Sequence, residues 1–155
     1  MPLKKLMEYL DNQKVKYVVH KHSPAYTAQE IASSAHIKGR ELAKTVMIKV
    51  DEAIAMAVLP ASFKVDLALL REALGAGKVE LASEREFRDL FPDCQTGAMP
   101  PFGNLFGMEV FVDPSLSEDE SIAFSAGSHT ELVQLAYRDF EELVRPRLVN
   151  FSSSR

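Results

Sequence analysis

Three short stretches of this 155-residue chain carry side chains suited to chemistry on an ester or a phosphate. The first is Ala43-Lys44-Thr45-Val46-Met47. On a two-residue period Lys44 shares a face with Val46, Ile48 and Val50, which puts it at the mouth of an apolar surface. A cation there can bind a phosphate or polarise a carbonyl. The same position also suits a lysine snorkelling from a strand end. The second stretch is Gly97-Ala98-Met99-Pro100-Pro101-Phe102-Gly103-Asn104. Its prolines remove two backbone donors and stiffen the chain, and its glycines let the backbone approach a ligand closely. Such a loop either presents peptide groups to a substrate or joins a helix to a strand. The third is Ala126-Gly127-Ser128-His129, a hydroxyl beside an imidazole, which on its own reads more readily as a polar turn.

Other candidates fall away. Ser128 and His129 are adjacent and no Gly-x-Ser-x-Gly pattern occurs, so a serine-hydrolase triad is a poor fit. His20-Lys21-His22 puts two imidazoles on one strand face, but no further metal ligands are marked, and they read as surface histidines. Gly75-Ala76-Gly77-Lys78 has Val79 where a phosphate loop needs Ser or Thr. Cys94 follows Asp93, with no basic neighbour to activate it, and reads as structural. As the single cysteine it also excludes a disulfide framework and a cysteine-based zinc site.

The elements that must position these stretches are short. Leu3, Leu6, Met7 and Leu10 have helical spacing over residues 3–12. A strand is predicted over 16–21. Thr27-Ala28-Gln29-Glu30 is a capping box that should open a helix ending near Gly39. Residues 45–50 and 53–59 read as a hairpin around Asp51-Glu52. Asp66 should cap a helix through Leu74, followed by a strand over 78–81. Ser83-Glu84-Arg85-Glu86 should open another helix that stops before Pro92. Residues 92–104 are too rich in Pro and Gly for a regular element. Strands near 108–112, 121–124 and 131–136 follow, with an acidic turn over 113–120 and a last helix over about 140–144. Short strands mixed with short helices, without βαβ alternation, imply an α+β domain.

Hydrophobic residues make up 46% and charged residues 26%, which describes a globular chain rather than a disordered one. No apolar run is long enough for a membrane span, and the Met1-to-Lys5 start leads into no apolar secretory region, so a cytoplasmic location is expected. The net charge of −4 hides an asymmetry. Residues 1–50 carry nine bases and four acids, or +5, and the other 105 carry nine bases and eighteen acids, or −9. The basic third contains Lys44 and could attract a polyanion locally, although a merely solvated surface has the same composition.

The Thr27 helix, Ala43-Lys44-Thr45, Gly97-x-x-Pro-Pro-Phe-Gly and Gly127-Ser128-His129 occur in an order that resembles the YbaK/prolyl-tRNA-synthetase-associated editing-domain family. The resemblance covers nearly the whole chain. It implies an α+β fold with a mixed, barrel-like sheet of about seven strands surrounded by short helices, and one editing domain over 1–155. It implies trans-acting hydrolysis of a mischarged aminoacyl-tRNA ester, with no metal or organic cofactor. Lys44, Gly97 and His129 would be catalytic. His22, Thr45, Pro100, Pro101, Phe102, Gly103, Gly127 and Ser128 would bind substrate. The expected partners are the tRNA acceptor end and prolyl-tRNA synthetase or an elongation factor, with no membrane. His129 leans towards alanine on tRNA for proline. Thr45 departs from the Lys-Asn pair of some alanine-type members, which keeps serine, threonine and cysteine open. A non-catalytic tRNA- or synthetase-binding module, or a hydrolase of other small esters or amides, would fit the same residues.

Overall fold

The computed structural model describes residues 3–23 and 27–153, so Met1 and Pro2 of the start lie outside it. Helix α1 (Lys4–Asn12) turns Leu6 and Leu10 inward and is followed by strand β1 (Tyr17–Lys21). Helix α2 (Ala28–Ser34) opens on the expected capping box. Thr27 Oγ1 accepts from the Glu30 amide at 3.1 Å, and Glu30 Oε1 accepts from the Thr27 amide at 2.9 Å. It ends well before Gly39, because His36 adopts a left-handed φ of 57°. The His36 amide then bonds Ser33 O at 3.3 Å and the Ile37 amide bonds Ala32 O at 2.9 Å. This two-bond closure brings buried Ile37 against buried Ala32, a contact that favours such a helix end.

Strands β2 (Ala43–Val50) and β3 (Ala53–Pro60) form the hairpin. Asp51 and Glu52 both take positive φ, 47° and 77°, as a tight two-residue hairpin turn requires. Then come β4 (Lys64–Val65), α3 (Leu67–Leu74), β5 (Val79–Leu81) and α4 (Glu84–Phe87). Asp66 caps α3 by accepting from the Leu69 amide at 3.0 Å. The Lys49 ammonium bonds Glu86 at 2.6 Å, ties the hairpin to α4 and holds the Glu86 carboxyl down at about 2. The chain ends with β6 (Val110–Val112), β7 (Ser121–Ser125), β8 (Glu131–Ala136), α5 (Tyr137–Val144), β9 (Arg147–Leu148) and β10 (Ser152–Ser153).

Among the described residues, ten strands form three sheets rather than one barrel-like sheet of about seven. A five-stranded mixed sheet has the order β5-β2-β3-β6-β9, antiparallel through β3 and parallel beyond it. A three-stranded antiparallel sheet has the order β1-β8-β7, and β10 pairs with β4 in a separate ribbon. The two larger sheets touch through one isolated parallel bridge, Leu42 to Ala123, and do not close. The extra strands are two-residue pairings, too short to leave a periodic pattern in sequence.

Residues from both larger sheets meet in the main core, with Met56 and Val58 on one side and Phe124 and Val133 on the other. Phe102 is fully buried there, with its ring 6.3, 5.5 and 5.6 Å from those of Tyr9, Phe124 and Phe140. A second cluster, of Ile48, Ala55, Ala57, Leu59, Leu70, Phe111 and Phe151, covers the other face of the hairpin. Burial of both faces explains why β3 reads as a continuous apolar run.

Phe102→Ala should lower stability by about 3–5 kcal/mol in urea unfolding, since three rings lose their common partner. Gly103→Ala should also destabilise, because a Cβ there would lie 2.5 Å from Met108 O and 2.6 Å from Val110 Cγ2.

Candidate functional site

Lys44 is the second residue of β2 and faces Leu59 across the hairpin. It is half-buried, and burial followed by the nearby Lys64 charge lowers its pKa from the ordinary lysine value. Beside it opens a cavity of about 160 Å³. Its lining includes Lys44 and Thr45 of β2, Gly97 and Met99 of the loop rich in Pro and Gly, and Ile31, Leu42, Ser125 and Leu132. Segments distant in sequence thus converge on one small, mainly apolar space with a cation at its edge.

The loop carrying Gly97 is bonded to the turn carrying Gly127 by both backbones. The Gln95 amide donates to Gly127 O at 2.8 Å, and the Gly127 amide donates to Ala98 O at 2.8 Å. The His129 amide donates to Gln95 Oε1 at 2.6 Å. His129 Nε2 lies 2.6 Å from Thr96 O. A carbonyl only accepts, so Nε2 carries a hydrogen. Two glycines make this approach possible. Gly97 has φ 86°, and a Cβ on it would sit 3.4 Å from His129 Cε1. Gly127 has φ 101°, and a Cβ on it would sit 3.0 Å from the Leu3 Cβ. Leu3 in turn donates its amide to Ala126 O at 2.7 Å.

The residues expected at the site divide into two groups. Lys44, Thr45 and Gly97 line the cavity, and His129 stacks behind Gly97. Pro100, Pro101, Phe102 and Gly103 are buried outside the cavity lining, with Phe102 in the main core. Ser128 Oγ donates to Glu131 Oε1 at 3.1 Å within its own turn. His22 donates its amide to Thr130 O at 2.8 Å, next to that turn, and its Nδ1 faces Ser23 O at 3.0 Å. Gln95 was not singled out from sequence, and no local pattern marks it. Ser125 and Leu132, paired across β7 and β8, could have been found from the strands flanking Gly127.

Cys94 offers no nucleophile, since burial and then the Asp93 charge push its thiol up to about 11. A larger cavity of about 360 Å³ lies at the far end of the hairpin, between Asp51, Gly75, Glu109 and Arg147. It holds none of the residues singled out for chemistry. Among the described residues no helix is long and apolar enough to cross a membrane.

The smaller cavity thus joins a lysine of β2, the backbone of the Gly97 loop and residues of both larger sheets in one small space. The aminoacyl-tRNA editing domain model matches residues 22–143, and the chain belongs to that family. It is 36% identical over 97 residues to the multifunctional Ser/Thr-tRNA deacylase ProXp-y of Escherichia coli (strain K12). That match covers 62% of this chain and 58% of the relative, so the chain spans less than two thirds of that protein's length. It is 26% identical over 142 residues to the prolyl-tRNA editing protein ProX of Acetoanaerobium sticklandii, covering 88% and 86% of the two chains. A crystal structure described as a proposed trans-editing enzyme for prolyl-tRNA synthetase superposes with a TM-score of 0.83 at 16% identity, over 97% of this chain and 96% of the other. That likeness is one of fold.

Imidazole nitrogen NMR should show a hydrogen on His129 Nε2, the nitrogen that faces Thr96 O. Gln95→Ala should weaken this preference by loosening the turn. A wild-type ring protonated on Nδ1 instead would contradict the bond to Thr96 O.

Proposed function

We propose that this protein hydrolyses, in trans, the ester joining a small, wrongly attached amino acid to the 3′ end of a tRNA, with residues 1–155 acting as one editing domain. The observation that carries this reading is that half-buried Lys44 and Gly97 line the same small cavity. In this reading Lys44 holds the terminal phosphate or the ester carbonyl oxygen. The backbone at Gly97 and around Gly127 positions the aminoacyl group and the attacking water. Water adds to the carbonyl carbon, the bond to the ribose oxygen breaks, and that oxygen leaves with a proton. The substrate's own 2′-OH or amine assists the proton transfer. His129, anchored to Thr96, orients the terminal ribose and supports Gly97. Pro100, Pro101, Phe102 and Gly103 act from behind by fixing the loop to the core, and His22 and Ser128 act through the adjoining turn.

The side chain removed is small, and alanine, serine, threonine and cysteine are the candidates. The cavity walls include Thr45 and Ser125, whose hydroxyls suit a hydroxylated side chain. The name of the E. coli relative supports serine and threonine. The name of the A. sticklandii relative supports tRNA for proline as the carrier. The protein would meet the acceptor end alongside prolyl-tRNA synthetase or an elongation factor, in the cytoplasm where charged tRNA circulates.

A panel of tRNAs mischarged with alanine, serine or threonine should release free amino acid on incubation with the protein. Lys44→Ala should lower kcat/KM by about 10²–10³-fold, the loss typical of a charge-stabilising group. Binding without any hydrolysis by the wild type would point instead to a non-catalytic tRNA-binding module.

The lowered pKa of Lys44 also fixes a pH effect. A step that needs the ammonium is complete at lower pH and is lost as pH rises through the lowered value, before the ~10.4 of a free lysine. Lys64→Ala removes a repelling charge and should move this alkaline limb upward. The pH profile of kcat/KM, corrected for spontaneous ester hydrolysis, measures the shift.

A further inference from the structure

The apolar wall of the cavity belongs to a small cluster of its own, built from Ala32, Ile37, Leu42, Ala123 and Leu132. It lies at the seam of the two larger sheets, where Leu42 bridges to Ala123. A chain of four polar side chains runs across this seam. His20 Nε2 lies 2.9 Å from Gln134 Oε1. Gln134 Nε2 donates to Ser121 Oγ at 3.1 Å, and Ser121 Oγ donates to Glu41 Oε1 at 3.0 Å. Gln134 Oε1 can only accept, so His20 is the donor and every bond points the same way. The chain ends on Glu41, a residue only 6% exposed.

Glu41 immediately precedes Leu42. One residue earlier, Arg40 Nε pairs with Asp119 Oδ1 at 2.9 Å, and the Asp119 side chain is 4% exposed. On the other side, Leu42 O accepts from the Ala61 amide at 2.8 Å, and Ala61 also lines the cavity. The Leu42 wall is therefore held from the three-stranded sheet through Glu41 and from the hairpin side through Ala61.

We propose that His20, Gln134, Ser121 and Glu41 act as positioning residues, a strap that sets the width of the cavity through Leu42 and so selects the size of the aminoacyl side chain. This rests on the deacylase reading above. Bonds aligned head to tail reinforce one another. Removing the Ser121 hydroxyl takes a donor from the buried Glu41 carboxylate, which costs more than the bond itself contributed. The wall then relaxes, and a hydrophobic pocket that separates side chains one methylene apart by only ~10–200-fold has little discrimination to spare.

The test compares seryl- and valyl-tRNA esters with wild type, Ser121→Ala, Ser121→Thr and Gln134→Ala. Ser121→Ala should lower the seryl-to-valyl ratio of kcat/KM by about 5–20-fold. Its seryl activity should stay within about threefold of wild type, which separates selectivity from general damage. Ser121→Thr restores the hydroxyl and should restore the ratio. Gln134→Ala breaks the neighbouring link and carries the same expectation should Ser121→Ala fail to fold. The Ala61 amide should exchange with deuterium about fivefold faster or more in the alanine variants. An unchanged ratio, or unchanged Ala61 exchange, in a folded alanine variant overturns the strap. If the wild type releases no amino acid from any ester, the deacylase reading fails, and Ala61 exchange alone decides the strap.

Discussion

Residues 95–98 and the turn at 126–129 are bonded to each other at four points, through two backbone amides, the Gln95 side chain and the His129 ring. The rest of the candidate site depends on this junction. It holds the Gly97 backbone against the cavity, whereas a free surface loop would move too much to position water or an acyl group. The junction in turn requires two left-handed residues at close quarters. Gly97 must pass under an imidazole and Gly127 must pass over Leu3. Larger residues at either place would meet backbone strain as well as contact. The buried Met99 to Gly103 segment then transmits the rigidity of the aromatic core, centred on Phe102, directly to the loop.

The parts of the fold legible in sequence were those where local chemistry and tertiary packing agree. Both capping boxes form, the Asp51-Glu52 hairpin forms, and Asp66 caps its helix. The errors arise where long-range contact decides. The helix after Thr27 stops early because Ile37 must reach Ala32, and no residue before Gly39 advertises that turn. The two-residue strands at 147–148 and 152–153 exist only because β6 and β4 offer partners. The barrel-like sheet was an expectation of the resemblance, and the single Leu42–Ala123 bridge leaves two sheets in contact rather than one closed surface.

The candidate site divides along the same line. Lys44 was legible because a cation leading an apolar strand is a local oddity. The meeting of Lys44 with Gly97 was not legible from spacing, since half a hundred residues separate them, and only the order of motifs hinted at it. Pro100 to Gly103 stood out by composition, yet the structure puts them behind the cavity, where stiffness serves anchoring rather than contact. Gln95 and Glu41 lack any local mark. Their importance lies in what they bond, and that is a property of the folded chain.

Charge arithmetic also changes meaning once the chain is folded. The basic first third owes its +5 to nine cations, but Lys4 pairs with Glu8, Arg40 with Asp119, and Lys49 with Glu86 and Glu52. Three of the nine cations therefore already have a carboxylate partner within the protein. What distinguishes Lys44 is that the charge felt most strongly beside it is another lysine, Lys64. Lys44, on the lining of that small cavity, thus carries its charge against both partial burial and a like charge nearby. A bound phosphate would relieve both the burial of Lys44 and its repulsion by Lys64. An acidic protein can in this way hold a polyanion at one point without attracting it over its whole surface, which suits an encounter that must end in release.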